Sequence, residues 1–163
     1  MVNRGAETVA QALATRWAKD NDVTIFCGGS LTKTNYKVQI IPGVGVKQPQ
    51  PNNNLGSKIS HWLYRDEHSQ QIREFTYRCL DQLVKIEPNI ILVFNGSEQI
   101  RVLQTKSKLK QSIVAGMHGQ TESRKWKLAG RENTRMISLA PRGIVALNEV
   151  QYELLKNTAN KRT

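Results

Sequence analysis

The five consecutive apolar residues from Ile90 to Phe94 constrain the fold more than any other segment of this 163-residue chain. The run is rich in β-branched residues, with Glu87-Pro88-Asn89 before it and Asn95-Gly96-Ser97 after it. A strand that is apolar at every position is typical of a parallel sheet covered by helices on both faces. The sequence therefore favours an α/β fold.

Helical and strand patterns alternate along the rest of the chain. Apolar residues at helical spacing predict helices over Thr8–Lys19, Lys58–Glu87 and Glu98–Leu109, and a capping-box pattern starts a last helix at Asn148. Short β-rich runs predict strands over Val23–Phe26, Tyr36–Ile41, Ser112–Met117 and Gly143–Leu147. This order predicts one Rossmann-like domain over residues 1–163, with a largely parallel sheet and helices on both faces. Residues 42–57, rich in Pro, Asn and Gly, are predicted to form an irregular loop within it.

Two of the helical patterns carry an apolar stripe that we expect to be buried. The stripe of the first helix consists of Val9, Ala12, Leu13 and Trp17. The stripe of the long central helix consists of Ile72, Phe75, Cys79, Leu80, Leu83 and Val84.

Positive charge is concentrated in one part of the chain. The formal net charge is +11, and Arg101 to Arg142 contains ten Lys or Arg against two Glu. Such an excess attracts nucleic acid, anionic lipid head groups or phosphorylated ligands, because long-range charge does not distinguish them. Proteins that bind single strands usually add aromatic residues for base stacking, and this segment offers only Trp126. The aromatic content therefore disfavours nucleic acid.

Several classes of protein are disfavoured by what the sequence lacks. No apolar run approaches the ~20 residues of a membrane-spanning helix, and the residues after Met1 do not resemble a secretory signal, so we expect a cytoplasmic protein. Cys27 and Cys79 are too few for a disulfide framework and are expected to be small buried residues. The sequence contains no G-x-S-x-G, H-E-x-x-H or Walker motif and no paired carboxylates at strand ends. Hydrolase chemistry therefore has little support.

The candidate site residues come from the ends of the predicted strands. Ligands of open parallel sheets bind beyond the carboxyl ends of the strands. Asn95-Gly96-Ser97 follows the apolar strand, His118-Gly119 follows the next strand, and Gly5 precedes the first helix. Gly lets a ligand approach the backbone, and Asn and His supply neutral hydrogen-bonding groups suited to sugar hydroxyls or a phosphate.

The order of these segments resembles family 4 glycosyltransferases. Arg4 to Ala14, followed by Asp22 to Gly29, is similar to the family's Gly-Gly-Ala-Glu-Arg helix and its following strand. Glu87–Gly96 resembles the family's strand ending in Asn or His, and Ile113–Gly119 resembles its strand ending in His. Gly143–Glu149 resembles the strand before its interdomain helix. The chain departs from the pattern where Arg4 replaces a Gly and Thr8 replaces the usual Arg.

The resemblance implies a GT-B enzyme with two Rossmann-like domains. This chain would be the N-terminal, acceptor-side half, without the first strand and without the C-terminal domain that grips the nucleotide-sugar. The intact enzyme would transfer a hexose to a sugar or lipid-linked acceptor, as in the synthesis of cell-envelope polysaccharide. No cofactor and no metal would be needed, and the fragment alone would be inactive.

The resemblance also implies roles for single residues. His118 would contact the transferred sugar near the reacting carbon, and Gly5 would approach the phosphates of the donor. Asn95 would line the acceptor side, with Gly96 and Gly119 as neighbouring substrate-binding positions. Basic N-terminal domains of this family often dock on anionic membranes, which implies a peripheral location.

Two other readings of the sequence stay open. The charge also fits a non-catalytic basic α/β module that binds nucleic acid or a phosphorylated ligand, which steeply salt-dependent binding would reveal. Alternatively, the chain is a partner subunit that completes the sheet of another polypeptide, which co-purification would reveal.

Overall fold

The computed structural model of the chain describes residues 5–29, 33–42, 55–63, 65–94, 96–116, 135–139, 141–146 and 149–160. Its contacts divide into two compact units, Met1–Gln48 and Pro49–Thr163. Each unit has a sheet of its own, and the described strands pair in parallel throughout. The α/β class with parallel strands is confirmed, although the sequence predicted one sheet and the described strands form two. One domain over residues 1–163 stays a prediction.

The first unit consists of a helix followed by two strands. Helix α1 spans Gly5–Trp17, strand β1 spans Thr24–Cys27 and strand β2 spans Lys37–Ile40. Thr24 pairs with Lys37 and Cys27 with Ile40. The Lys37 ammonium lies 2.9 Å from the Asp22 carboxylate at the start of the two strands. Because both side chains are exposed, this ion pair contributes little to stability.

The end and the buried face of α1 differ from the prediction. The helix ends at Trp17 instead of Lys19, because the following residues form tighter turns: the backbone N–H of Lys19 donates to the Arg16 carbonyl at 3.4 Å, and that of Asp20 donates to the Trp17 carbonyl at 3.1 Å. Ala14 is the buried residue, at 4% exposure, whereas Trp17 is 44% exposed and Ala12 is exposed as well. The predicted stripe is therefore wrong for Ala12 and Trp17.

The second unit alternates helices and strands. Its helices are α2 over Leu55–Trp62, α3 over Glu67–Ile86, α4 over Ser97–Leu103 and α5 over Glu149–Asn160, with a 3-10 helix over Ser107–Ser112 and a helical turn at residues 135–138. Its strands are β3 over Ile91–Val93, β4 over Ile113–Gly116 and β5 over Gly143–Val145. The strand order is β3-β4-β5, which places β4 at the centre. Ile91 pairs with Ile113, and Val114 pairs with Gly143.

Two predicted helices are interrupted. The Asp66 carboxylate accepts hydrogen bonds from the Ser69 backbone N–H at 3.1 Å and from the Ser69 hydroxyl at 2.9 Å, so it caps α3 and starts a new helix within the long helix predicted from residue 58 to 87. Likewise α4 ends at Leu103, and the 3-10 helix replaces the rest of the helix predicted through Leu109.

The last residues of the irregular loop predicted over residues 42–57 are helical. Residues 55–57 belong to α2, so that part of the prediction is wrong. The apolar and polar order of Leu55–Trp62 fits a helical period once the Asn run has ended. Residues 43–54 lie outside the described residues.

The core of the second unit lies between α3, α4 and the sheet. The predicted α3 stripe is buried at Ile72, Cys79, Leu80 and Leu83, and half-buried at Phe75 and Val84. Ile113 and Ala115 of β4 are fully buried, at 0% exposure. In the run predicted to be buried on both faces only Val93 is buried, and Ile90 is 60% exposed. The central position of β4, with a strand on each side, explains why it is more buried than β3.

Candidate functional site

The carboxyl ends of β3 and β4 lie at the same edge of the sheet. The two strands are neighbours, parallel, and in register with Val93 opposite Ala115. Gly96 follows β3 and precedes α4, with φ 71° and ψ −155°. Only glycine adopts this backbone conformation without strain. Gly96 therefore allows the sharp turn from strand to helix at the edge where open parallel sheets bind ligands.

The structure places two of the predicted site residues. Gly96 is at the carboxyl edge of the sheet, and Gly5 is the first residue of α1 in the first unit. Asn95, His118 and Gly119 lie outside the described residues. The shared crevice expected for Gly5, Asn95 and His118 therefore stays a prediction.

A buried carboxylate lies two residues beyond Gly96. Glu98 is 4% exposed, and its Oε2 lies 2.8 Å from Nη1 of Arg73 on α3. Its Oε1 lies 2.8 Å from Nη2 of Arg135. Arg101, one turn further along α4, is at 3.9 Å. The carboxylate thus joins α3, α4 and the turn at residues 135–138, and it fixes the start of α4 beneath the carboxyl edge.

The sequence does not identify Glu98 as a structural centre. A single acidic residue in a basic region is typical of an exposed position on a helix. Burial of a carboxylate is tolerated only when cations or hydrogen bonds replace its water. Those partners come from residues distant in sequence, Arg73 and Arg135, which spacing along the chain does not connect.

An open cleft of about 600 Å³ lies in the second unit, between the end of α4 and the starts of two strands. Its described lining residues include three cations: Arg101, Lys110 and Arg142. Its other lining residues are Gln104, Thr105, Gln111 and Leu139. Nη1 of Arg142 lies 3.4 Å from the carbonyl of Asn89, and Nε2 of Gln104 donates to the carbonyl of Leu139. The cleft therefore has a basic, polar lining.

This cleft is at the edge of the sheet opposite to Gly96. Gln111 lies just before β4, and Arg142 directly precedes β5, so both mark the amino ends of strands. The sequence predicts ligands at the carboxyl ends of the strands, and none of the predicted site residues lies at this amino edge. The sequence feature that could have indicated this edge is the excess of positive charge between Arg101 and Arg142, because that segment contains Arg101, Lys110 and Arg142 of the cleft.

The described side chains offer neither an activated thiol nor a metal centre. Burial raises the pKa of the Cys79 thiol to about 12, so it stays protonated and unreactive at neutral pH. Partial burial also raises the pKa of Cys27, against a smaller lowering by a backbone hydrogen bond of Gly29. Within the described ranges, groups of three or more His, Cys, Asp or Glu suited to a metal ion do not occur.

In the described part of the chain, no helix is both long enough and apolar enough to cross a bilayer.

In comparisons with known proteins, no family model, no curated protein and no solved structure matches this chain.

Proposed function

We propose that this chain is the N-terminal, acceptor-side half of a glycosyltransferase of the family 4 type. The intact enzyme transfers a hexose from a nucleotide-sugar to a sugar or lipid-linked acceptor. The supporting observation is the parallel, adjacent pairing of β3 and β4, whose carboxyl ends share one edge of the sheet. In the sequence these ends are followed by Asn95-Gly96 and His118-Gly119, the residues that carry the resemblance.

The positive φ of Gly96 supports the proposal at the level of the backbone. A Cβ is absent at the turn where a sugar would approach, and the buried ion pairs of Glu98 hold the following helix in place. In the proposed reaction His118 contacts the transferred sugar beside the reacting carbon, and Asn95 donates to and accepts from acceptor hydroxyls. Gly5 approaches the phosphates of the donor.

The proposal has consequences for partners and location. The donor site of the proposed enzyme requires a second Rossmann-like domain. The intact enzyme works in the cytoplasm and docks on anionic membrane through its basic residues, and docking weakens as salt rises. The donor is a substrate, and neither a metal nor a bound cofactor takes part.

The experiment uses the complete product of the gene, incubated with a panel of UDP-, GDP- and TDP-hexoses together with saccharide and lipid-linked acceptors, and measures release of the nucleoside diphosphate. We expect turnover with one donor and a loss of at least a hundredfold in His118→Ala. His61→Ala, a histidine outside the proposed site, is the matched control and retains turnover. Absence of turnover with every donor, or full activity of His118→Ala, contradicts the proposal.

A further inference from the structure

The cleft at the amino ends of β4 and β5 has the features of a ligand site that the proposed transferase does not use. We infer that it binds a small phosphorylated sugar or polyol carrying two phosphate groups. The inference concerns the edge of the sheet opposite to Gly96 and is independent of the transferase proposal.

The charge of the cleft supports a dianionic or more highly charged ligand. Arg101, Lys110 and Arg142 contribute three positive charges, and the described lining contains neither Asp nor Glu. Arg101 lies 3.9 Å from the Glu98 carboxylate, but two other guanidinium groups already lie 2.8 Å from that carboxylate. Most of the positive charge of the cleft is therefore available to an anion, and arginine suits the two oxygens of a phosphate.

The size and polarity of the cleft support a hydroxylated ligand. A volume of about 600 Å³ lies within the range of small-molecule sites, roughly 300–1,000 Å³. Gln111 supplies an amide, whereas the Gln104 amide and the Thr105 hydroxyl already donate to the Leu139 and Val102 carbonyls and offer their oxygens as acceptors. Leu139 is the one apolar residue of the described lining. A single inorganic phosphate has no hydroxylated body to use these groups, whereas a sugar or polyol does.

The lining argues against a nucleotide or a single-stranded nucleic acid. Recognition of a base normally uses an aromatic face for stacking, and aromatic residues are missing from the described lining. Without an aromatic face, the base of a nucleotide adds little binding free energy to that of the phosphate groups. The sugar and phosphate portions therefore dominate recognition.

Two fixed contacts prepare the cleft for binding. The backbone N–H of Arg142 donates to the Ile113 carbonyl at 2.8 Å, which fixes the start of β5 beside β4. The Gln104 side chain joins α4 to the carbonyl of Leu139 across the cleft. Walls held in this way lose less conformational entropy when a ligand binds.

The test is calorimetric titration of the 163-residue chain with fructose 1,6-bisphosphate, fructose 6-phosphate, inorganic pyrophosphate and a single-stranded RNA oligonucleotide. We expect the bisphosphate to bind at least tenfold more tightly than the monophosphate and than pyrophosphate. We expect the double variant Arg101→Gln, Lys110→Gln to lower its affinity at least tenfold. Lys85→Gln removes an exposed charge from α3, outside the cleft, and should change the affinity less than twofold.

Three outcomes overturn the inference. They are tighter binding of RNA than of the bisphosphate, equal loss of affinity in Lys85→Gln and in the double variant, and absence of binding by the bisphosphate. If the double variant does not fold, Lys110→Gln alone replaces it in the test, because Lys110 is exposed. This single variant should lower the affinity for the bisphosphate at least threefold. An unchanged affinity in that single variant also contradicts the inference.

Discussion

Nη2 of Arg135 lies 2.8 Å from Oε1 of the buried Glu98, while Arg73 of α3 lies 2.8 Å from the other carboxylate oxygen. Three segments distant in sequence thus meet at one charged group. Glu98 lies in the first turn of α4, which runs from the carboxyl edge of the sheet, at Gly96, toward the basic cleft at the opposite edge. Both proposed ligand sites of the second unit therefore depend on the position of α4.

Glu98→Gln should strongly destabilise the second unit. The substitution keeps the shape of the side chain but leaves two guanidinium groups beside a neutral amide. Removing one partner of a buried ion pair costs roughly 3–5 kcal/mol, and we expect about 3 kcal/mol because Arg73 is 34% exposed and can reach water. Urea denaturation followed by circular dichroism measures the loss.

The matched control for Glu98 is Glu153→Gln. Glu153 lies 3.7 Å from Lys156 in an exposed pair on α5, and such pairs contribute about 0–1 kcal/mol. A loss in Glu98→Gln that is no greater than in this control would show that the buried cluster does not stabilise the fold.

Gly96→Ala should lower the free energy of unfolding by about 1–3 kcal/mol, because a Cβ makes the conformation at φ 71° and ψ −155° costly. Gly143→Ala is the control, since a Cβ there would meet nothing within 4 Å. We expect it to change stability by less than about 0.5 kcal/mol. Thermal melts of the two variants and the parent chain give the comparison, and equal melting temperatures for the two variants would refute the conformational argument.

Asp66→Ala should destabilise α3 by about 1 kcal/mol, because the first turn loses the side-chain acceptor for the Ser69 N–H. Asp66→Asn retains an acceptor oxygen and should recover most of the loss. Denaturant midpoints of the three proteins test this, and an Asn variant as unstable as the Ala variant would exclude capping as the cause.

The two thiols should differ in reactivity. At pH 8 a thiol reagent should modify the half-buried Cys27, while Cys79, at 3% exposure, should react only after unfolding. Mass spectrometry of the labelled peptides distinguishes the two. Equal labelling of both cysteines in the folded chain would contradict the burial of Cys79.

The raised pKa of Cys79 also predicts a dependence of stability on pH. The unfolded thiol loses its proton near the ordinary value of 9.0, whereas the folded thiol keeps it up to about 12. Between these values the folded state binds more protons, so stability should fall as pH rises, by at most about 1.4 kcal/mol per pH unit from this group. Cys79→Ala should remove that part of the slope between pH 9 and 10, and an unchanged slope would contradict the assignment.

Much of the fold was predictable because it depends on local patterns. Four of the five described strands fall within a predicted β-rich run, and β1 extends one residue beyond its run, to Cys27. The α3 stripe is buried at Ile72, Cys79, Leu80 and Leu83. Side-chain shape and apolar period act over a few residues, so these features can be recognised in the sequence. The start of α3 was also encoded locally, in Asp66, but the apolar period across it concealed the cap.

By itself, the sequence determined the α/β class, the positions of the strands and the concentration of positive charge. The tertiary structure alone decided that β4 is central, that Glu98 is enclosed by Arg73 and Arg135, and that part of the charge lines a cleft at the amino edge. The physical reason is that local dihedral and burial preferences select helix or strand, whereas strand neighbours and charge partners depend on packing between segments far apart in the chain.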